Sequence, residues 1–343
     1  MRFYASSWNV CGAIIAARAI VLSAVSVLGI GQIVHAGTLT FGSGDNTFQM
    51  EFVTIGDTNN AARPTLQGGG GAVAYTYSMG KYEVSEDMIS KYNLNSGIPA
   101  IDFSPDREGV NKAATNISWN EAARFVNWLN TSTNGYAAYN FTSSASKDDN
   151  ITPWTAADTL DWDASNPYRS KRATFVLPSS DEWTKAAYYD PNKSGGAGYY
   201  LYAQGSDTKP TAVASGTGVN SAVYNGQSAP ADITNAGGLN AYGLMAMGGN
   251  VKELEETSFD FLNNSGTQAR AVRGFSYSTL EEFFVPAERE SRSSATSTNN
   301  QIGFRVAMVT PVLSQPVPEP TSMVIFGLGA LGFAFRNRKK YIG

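Results

Sequence analysis

Asn240-Ala241-Tyr242-Gly243-Leu244, followed two residues later by Met247-Gly248-Gly249-Asn250-Val251-Lys252-Glu253, is the stretch on which the fold is read. Gly243, Gly248 and Gly249 permit tight backbone paths that side chains would block. Tyr242 reads as a core anchor between them. Glu253 opens an acidic run with Glu255, Glu256 and Asp260, and Glu281-Glu282 forms a second. Both runs read as solvated acidic faces, because charged residues are seldom buried. Arg273 and Arg305, farther along, read instead as buried partners of carboxylates.

Outward from this stretch, three helices are marked by their caps. Ser85-Glu86-Asp87 places a cap and two acids at the start of a helix through about Tyr92. Ser118 with Glu121, and Ser179 with Glu182, are capping boxes that set Trp119 and Trp183 in the first turns as core anchors. After Ser118 the apolar face carries Ala122, Ala123, Val126 and Leu129. Thr47 to Ile55 alternates Phe48, Met50 and Phe52 with Gln49 and Glu51, the pattern of a half-buried strand. Gly68 to Gly71 is a loop and not a phosphate cradle, since no Gly-Lys-Ser/Thr follows it. Long polar stretches separate these elements, so the fold class is α+β, loop-rich, with little regular structure.

Of 343 residues, 16% are charged and 42% hydrophobic, a globular composition. The net charge of −4 hides an asymmetry. Arg2, Arg18, Arg336, Arg338, Lys339 and Lys340 lie at the two ends, and without them 19 basic residues face 29 acidic ones. So acidic a body repels phosphate backbones, and no nucleic-acid partner is expected. The single His35 and single Cys11 both fall in a segment that reads as a removable leader. Without them the mature chain has no Ser-His-Asp triad, no cysteine nucleophile, no disulfide, and no His or Cys ligand for zinc, copper or iron.

That leader is residues 1–36: basic Arg2 and Arg18, an apolar run from Ala19 to Ile30, and Val34-His35-Ala36 before Gly37, with cleavage after Ala36. An uncleaved anchor is the alternative, although the run is short of the ~20 residues a span needs. Residues 37–311 read as one domain, near the upper size for a single core. A Pro-rich linker, 312–320, carries Pro318-Glu319-Pro320. Uncharged Thr321 to Phe335 and the basic Arg336-Asn337-Arg338-Lys339-Lys340 follow, an arrangement that stops transfer of a chain through a membrane. Residues 318–343 resemble the PEP-CTERM sorting signal of Gram-negative bacteria. The resemblance implies export through the inner membrane, a short transmembrane helix before processing, an exosortase-type enzyme as partner, and a cell-surface or extracellular destination beside surface polysaccharide. A plain membrane anchor would have the same topology.

Seven short motifs stand in order: Gly80-Lys81-Tyr82-Glu83-Val84-Ser85, Ile117-Ser118-Trp119-Asn120-Glu121-Ala122, Leu177-Pro178-Ser179-Ser180-Asp181-Glu182-Trp183, the two quoted at the opening, Val272-Arg273-Gly274-Phe275-Ser276, and Gly303-Phe304-Arg305. No single motif is specific, but the ordered set resembles the sulfatase-modifying factor family, whose founding member is the formylglycine-generating enzyme. The resemblance implies an elaborated C-type-lectin-like fold with structural calcium. Carried over, the ligands of one ion are the carbonyls of Gly249 and Val251 and the carboxylate of Glu253, oxygen donors suited to Ca²⁺. The Asn that usually stands three before that Gly is Ala246 here. Asn220, Asn225 and Asp232 are the candidates for a second ion.

The family's chemistry does not transfer. The formylglycine-generating enzyme holds copper with two cysteines that follow a Gly-Gly-Ser stretch. Here that stretch is Gly274-Phe275-Ser276, Ser278 or Thr279 stands near the first cysteine position, and no cysteine follows. A hydroxyl does not replace a thiolate on copper(I). The iron-dependent branch needs histidines, so neither copper nor iron is expected and no catalytic residue is assigned. Two readings remain: a non-catalytic, surface-sorted binding or matrix protein, and an enzyme using carboxylates, tyrosines or an oxygen-bound metal on the same fold. Tyr136, Tyr139, Phe141, Trp154, Trp162 and Tyr168 share one long segment, where they either stack on sugars or pack in the core.

Overall fold

Phe48, Met50 and Phe52 alternate inward along β2 (Phe48–Ile55), and their burial seats a sheet against the helices. The computed structural model describes residues 37–65, 68–96, 100–103, 109–141, 149–286 and 291–312. The leader read at 1–36, nearly all of the linker and the sorting tail lie outside the described residues.

In the first sheet the order is β1 (Gly37–Phe41), β2, β3 (Tyr77–Gly80), β13 (Ala307–Met308) and β4 (Phe175–Val176), with every neighbouring pair antiparallel. Its inner face meets α2 (Trp119–Ser132), where Phe48 stacks on Phe125 at 6.0 Å and on Trp128 at 5.9 Å. The second sheet runs β11 (Ser291–Ser293), β10 (Arg270–Arg273), β9 (Lys252–Ser258) and β12 (Ile302–Gly303), the last parallel to β9. Two small pairs complete the strands: β5 (Tyr189–Asp190) with β6 (Gly198–Tyr199), and β7 (Thr211–Val213) parallel to β8 (Ser221–Val223). Gly303 is required by close approach: a Cβ there would lie 2.6 Å from the Ala114 carbonyl oxygen.

The caps form as the sequence indicates. Ser85 Oγ accepts from Met88 N at the start of α1 (Glu86–Asn95), which runs three residues beyond Tyr92. Both capping boxes close, Ser118 with Glu121 on α2 and Ser179 with Glu182 on α3 (Ser180–Tyr188). Trp119 and Trp183 are fully buried and Tyr242 is half-buried. Two of the aromatics offered for stacking on sugars, Tyr139 and Tyr168, are core residues instead. Tyr139 and Tyr168 pack on Trp119, and the Arg270 guanidinium lies 4.1 Å from the ring centroids of both Trp119 and Tyr168. Among the described residues no helix is long and apolar enough to cross a membrane.

Candidate functional site

Asp260 and the pair Glu281-Glu282 are exposed, as a solvated acidic face requires, but the rest of the first run is not, and this corrects the reading from the sequence. Glu253, Glu255 and Glu256 are all buried on β9, each beside an arginine brought from elsewhere in the chain. Strict alternation would turn two neighbouring glutamates to opposite sides. Here Glu253, Leu254, Glu255 and Glu256 are all buried in succession, so both faces of β9 are covered, and the β9–β10 register shifts between Arg270 and Val272.

Arg305 Nε reaches both Glu253 oxygens at 2.9 and 2.8 Å, its Nη2 donates to Oε1 at 2.6 Å, and Trp183 Nε1 donates to Oε2 at 2.6 Å. Arg305 also donates to the carbonyls of Gly80 and Met245, tying both sheets to the opening stretch. Arg273 Nε meets Glu255 at 2.6 Å, and the Ser180 hydroxyl donates to its other oxygen. Glu256 accepts from Arg169 Nε at 2.9 Å, Tyr139 Oη at 2.7 Å and the Asn166 amide. Arg273 and Arg305 are thus carboxylate partners, as the sequence suggested. These ion pairs offset part of the cost of burying their charges, although Arg273 Nη1 has no hydrogen-bond partner among the described residues, and they leave none of the three carboxylates available as a base or nucleophile.

The calcium candidates form two sets, Gly249, Val251 and Glu253 for one ion and Asn220, Asn225 and Asp232 for a second. Both Glu253 oxygens already accept from a guanidinium, so this carboxylate does not fit a calcium ligand. Gly249 sits at φ 128°, where a Cβ would lie 2.9 Å from the Val223 carbonyl oxygen, so its backbone is pressed against β8. Val251 turns its N–H to Glu83 at 3.2 Å. Asn220 and Asn225 stand at opposite ends of β8, both in the left-handed region, while Asp232 pairs with Lys112 at 3.5 Å. Among the candidate side chains, only Asn220 has a buried oxygen, Oδ1, without a hydrogen-bond partner. No group of three or more His, Cys, Asp or Glu able to hold a metal occurs among the described residues.

Where the resemblance would place a copper dithiolate, the chain has hydroxyls and rings. Ser276 Oγ lies 3.2 Å from both Ser278 Oγ and Thr279 Oγ1, and donates to Gln301 Oε1 at 2.9 Å. Phe284 is buried and packs at 4.3 Å against Phe275 and at 4.1 Å against Tyr224. This donor set does not fit copper(I).

Two features escape a reading of the sequence. Glu83 is fully buried and accepts from Asn250 Nδ2 at 2.6 Å and from Val251 N. Burial, then the neighbouring Glu253, push its pKa up to about 8 against the pull of Arg305 and those two donors. In the sequence it is only one letter of Gly80–Ser85. The second is a cleft of about 450 Å³ lined by Tyr75, Asp163, Asn166, Arg169, Lys171 and Val309. Arg169 holds Glu182 through two hydrogen bonds at 2.8 and 2.9 Å while also serving Glu256. Burial opposes the Arg169 charge, but Glu182 and Glu256 outweigh it and raise its pKa above the ordinary value. Asn-Pro-Tyr-Arg at 166–169 has no periodicity or motif that would mark this residue.

The profile of the sulfatase-modifying factor enzyme 1-like domain matches residues 72–310, and that of the PEP-CTERM protein-sorting motif matches residues 316–339. No curated protein matches the sequence. Among solved structures, Treponema denticola variable protein 1 is 17% identical with a TM-score of 0.55, the alignment covering 80% of this chain and 99% of that one. The crystal structure of CarF is 19% identical with a TM-score of 0.52, covering 82% and 100%. At these identities the likeness is one of fold, the α+β C-type-lectin-like arrangement.

Proposed function

The chain belongs to the sulfatase-modifying factor enzyme 1-like domain family and carries a PEP-CTERM sorting motif, and from this we propose that it is a non-catalytic binding or extracellular-matrix protein of the cell surface. The sorting motif marks it as an exported protein of a Gram-negative bacterium, processed by an exosortase-type enzyme. Surface polysaccharide is its partner in this reading, and the uncharged stretch from Thr321 to Phe335 holds it in the membrane until processing.

One observation carries the proposal. By the resemblance, Ser278 or Thr279 stands near the first cysteine position of the family's copper site, each 3.2 Å from Ser276 Oγ, so hydroxyls stand in place of a thiolate and no cysteine follows. A scaffold kept whole around such a site can position a ligand but cannot activate oxygen through copper. The test is to incubate the full chain with copper(I) and a cysteine-containing peptide, then follow the peptide by mass spectrometry and the metal by elemental analysis. The peptide is expected unchanged and copper and iron far below one per chain. Peptide oxidation, or one copper or iron retained per chain, would sink the reading. Calcium at one per chain, lost in Asn220→Ala, would place that ion at Asn220 and not at Glu253.

A further inference from the structure

We propose that the cleft beside Arg169 binds a neutral oligosaccharide, with Tyr75 as the stacking platform and Asp163 as the acceptor for sugar hydroxyls. The proposal rests on the binding-protein reading above and gives it a site and a ligand class. At about 450 Å³ the cleft lies within the usual range for small-ligand sites.

Its floor is rigid before any ligand arrives. Tyr75 is 46% exposed, yet its hydroxyl turns inward to Glu182 Oε1 at 2.7 Å and its ring meets Tyr77 edge-on at 6.2 Å. A pinned ring with an open face offers apolar contact at little entropic cost, which suits the C–H face of a pyranose. Arg169 is locked by Glu182, Glu256 and the Leu177 carbonyl. Asn166 is locked between Glu256 and Asn263. At the rim, Asp163 Oδ1 accepts from Ser165 N and Oγ at 2.8 and 2.7 Å, whereas Oδ2 has no hydrogen-bond partner among the described residues.

Charge selects among ligands. Arg169 and Lys171 are cationic, but Glu182, Glu256 and Asp163 outnumber them, and Lys171 Nζ is already given to the Thr159 carbonyl at 2.8 Å. The Arg169 guanidinium has both its carboxylates in hand and does not clamp a third. Uronates, sulfated sugars and phosphates therefore meet a net negative cleft, and a purely apolar ligand would strand the polar rim. A neutral sugar, with one apolar face and many hydroxyl donors, satisfies both constraints.

Isothermal titration of the full chain against short gluco-, manno-, galacto- and N-acetylglucosamine oligomers, with oligo-uronates as the anionic comparison, tests this. At least one neutral oligomer is expected to bind, with Kd roughly 0.1–1 mM. Tyr75→Ala should weaken it about tenfold, and Tyr75→Phe, which keeps the ring, should retain most of the affinity. Asp163→Asn should weaken it while leaving the melting temperature unchanged, so the test survives even where Tyr75→Ala misfolds. Failure of every neutral oligomer to bind, or preference for uronates, overturns the proposal. Neutral-sugar binding indifferent to both Tyr75→Ala and Asp163→Asn overturns the site while the binding-protein reading stands. Peptide oxidation in the copper experiment is the separate result that removes that reading itself.

Discussion

Glu83 makes the stability of the domain fall with pH. Its folded pKa of about 8 lies above the ordinary 4.5, so between these values the folded chain holds a proton that the unfolded chain releases. Stability is therefore greatest below about 4.5 on this account, declines as pH rises to about 8, and levels off beyond. Glu182 acts in the opposite sense: burial resists its charge, but Arg169 holds its pKa below 4.5, and its contribution is lost only as pH falls through that lowered value. Glu83→Gln keeps an acceptor for the Val251 N–H and removes the titration. Urea denaturation is expected to find the variant more stable than the parent at pH 9 and no more stable at pH 5. Parallel pH profiles for the two proteins would refute this assignment of the alkaline slope.

At the scale of the element, α3 joins a local signal to a long-range one. Ser179 and Glu182 satisfy each other's backbone N–H groups, and this is legible because a capping box spans only four residues. The same Glu182 also neutralises Arg169 and accepts from Tyr75, and no local pattern announces those contacts. The two roles separate by mutation. Ser179→Ala should cost about 1 kcal/mol, the loss of a cap. Glu182→Ala should cost roughly 3–5 kcal/mol, because it leaves half of a buried ion-pair cluster unmatched. Equal losses for the two variants in urea denaturation would mean that Glu182 acts only as a cap. On β9 the local signal misled: consecutive glutamates look solvated, and Arg169 and Arg273 from other segments make their burial on a strand covered on both faces tolerable.

At the scale of the whole molecule, the last strands close both sheets. β13 lies between β3 and β4, and β12 lies beside β9, so residues near 305 pair with residues near 80, 176 and 253. A chain ending at Asn300 loses β12, β13 and Arg305 together, and is expected to show no cooperative thermal transition, whereas one ending at Val312 melts cooperatively; a cooperative melt of the shorter chain would contradict this closure. Such long-range pairing also predicts slow folding. Alternating apolar residues, caps and ordered motifs determined by themselves that this is a loop-rich α+β domain of the sulfatase-modifying factor kind with a sorting tail, because each signal is written within a few neighbouring residues. The partner of each buried charge, the engagement of both Glu253 oxygens by Arg305, the raised pKa of Glu83 and the existence of the Tyr75–Arg169 cleft were decided only by tertiary structure. They depend on which distant side chains meet out of water, and a contact across 87 or 225 residues, as for Arg169 with Glu256 or Arg305 with Gly80, leaves no period or spacing along the chain.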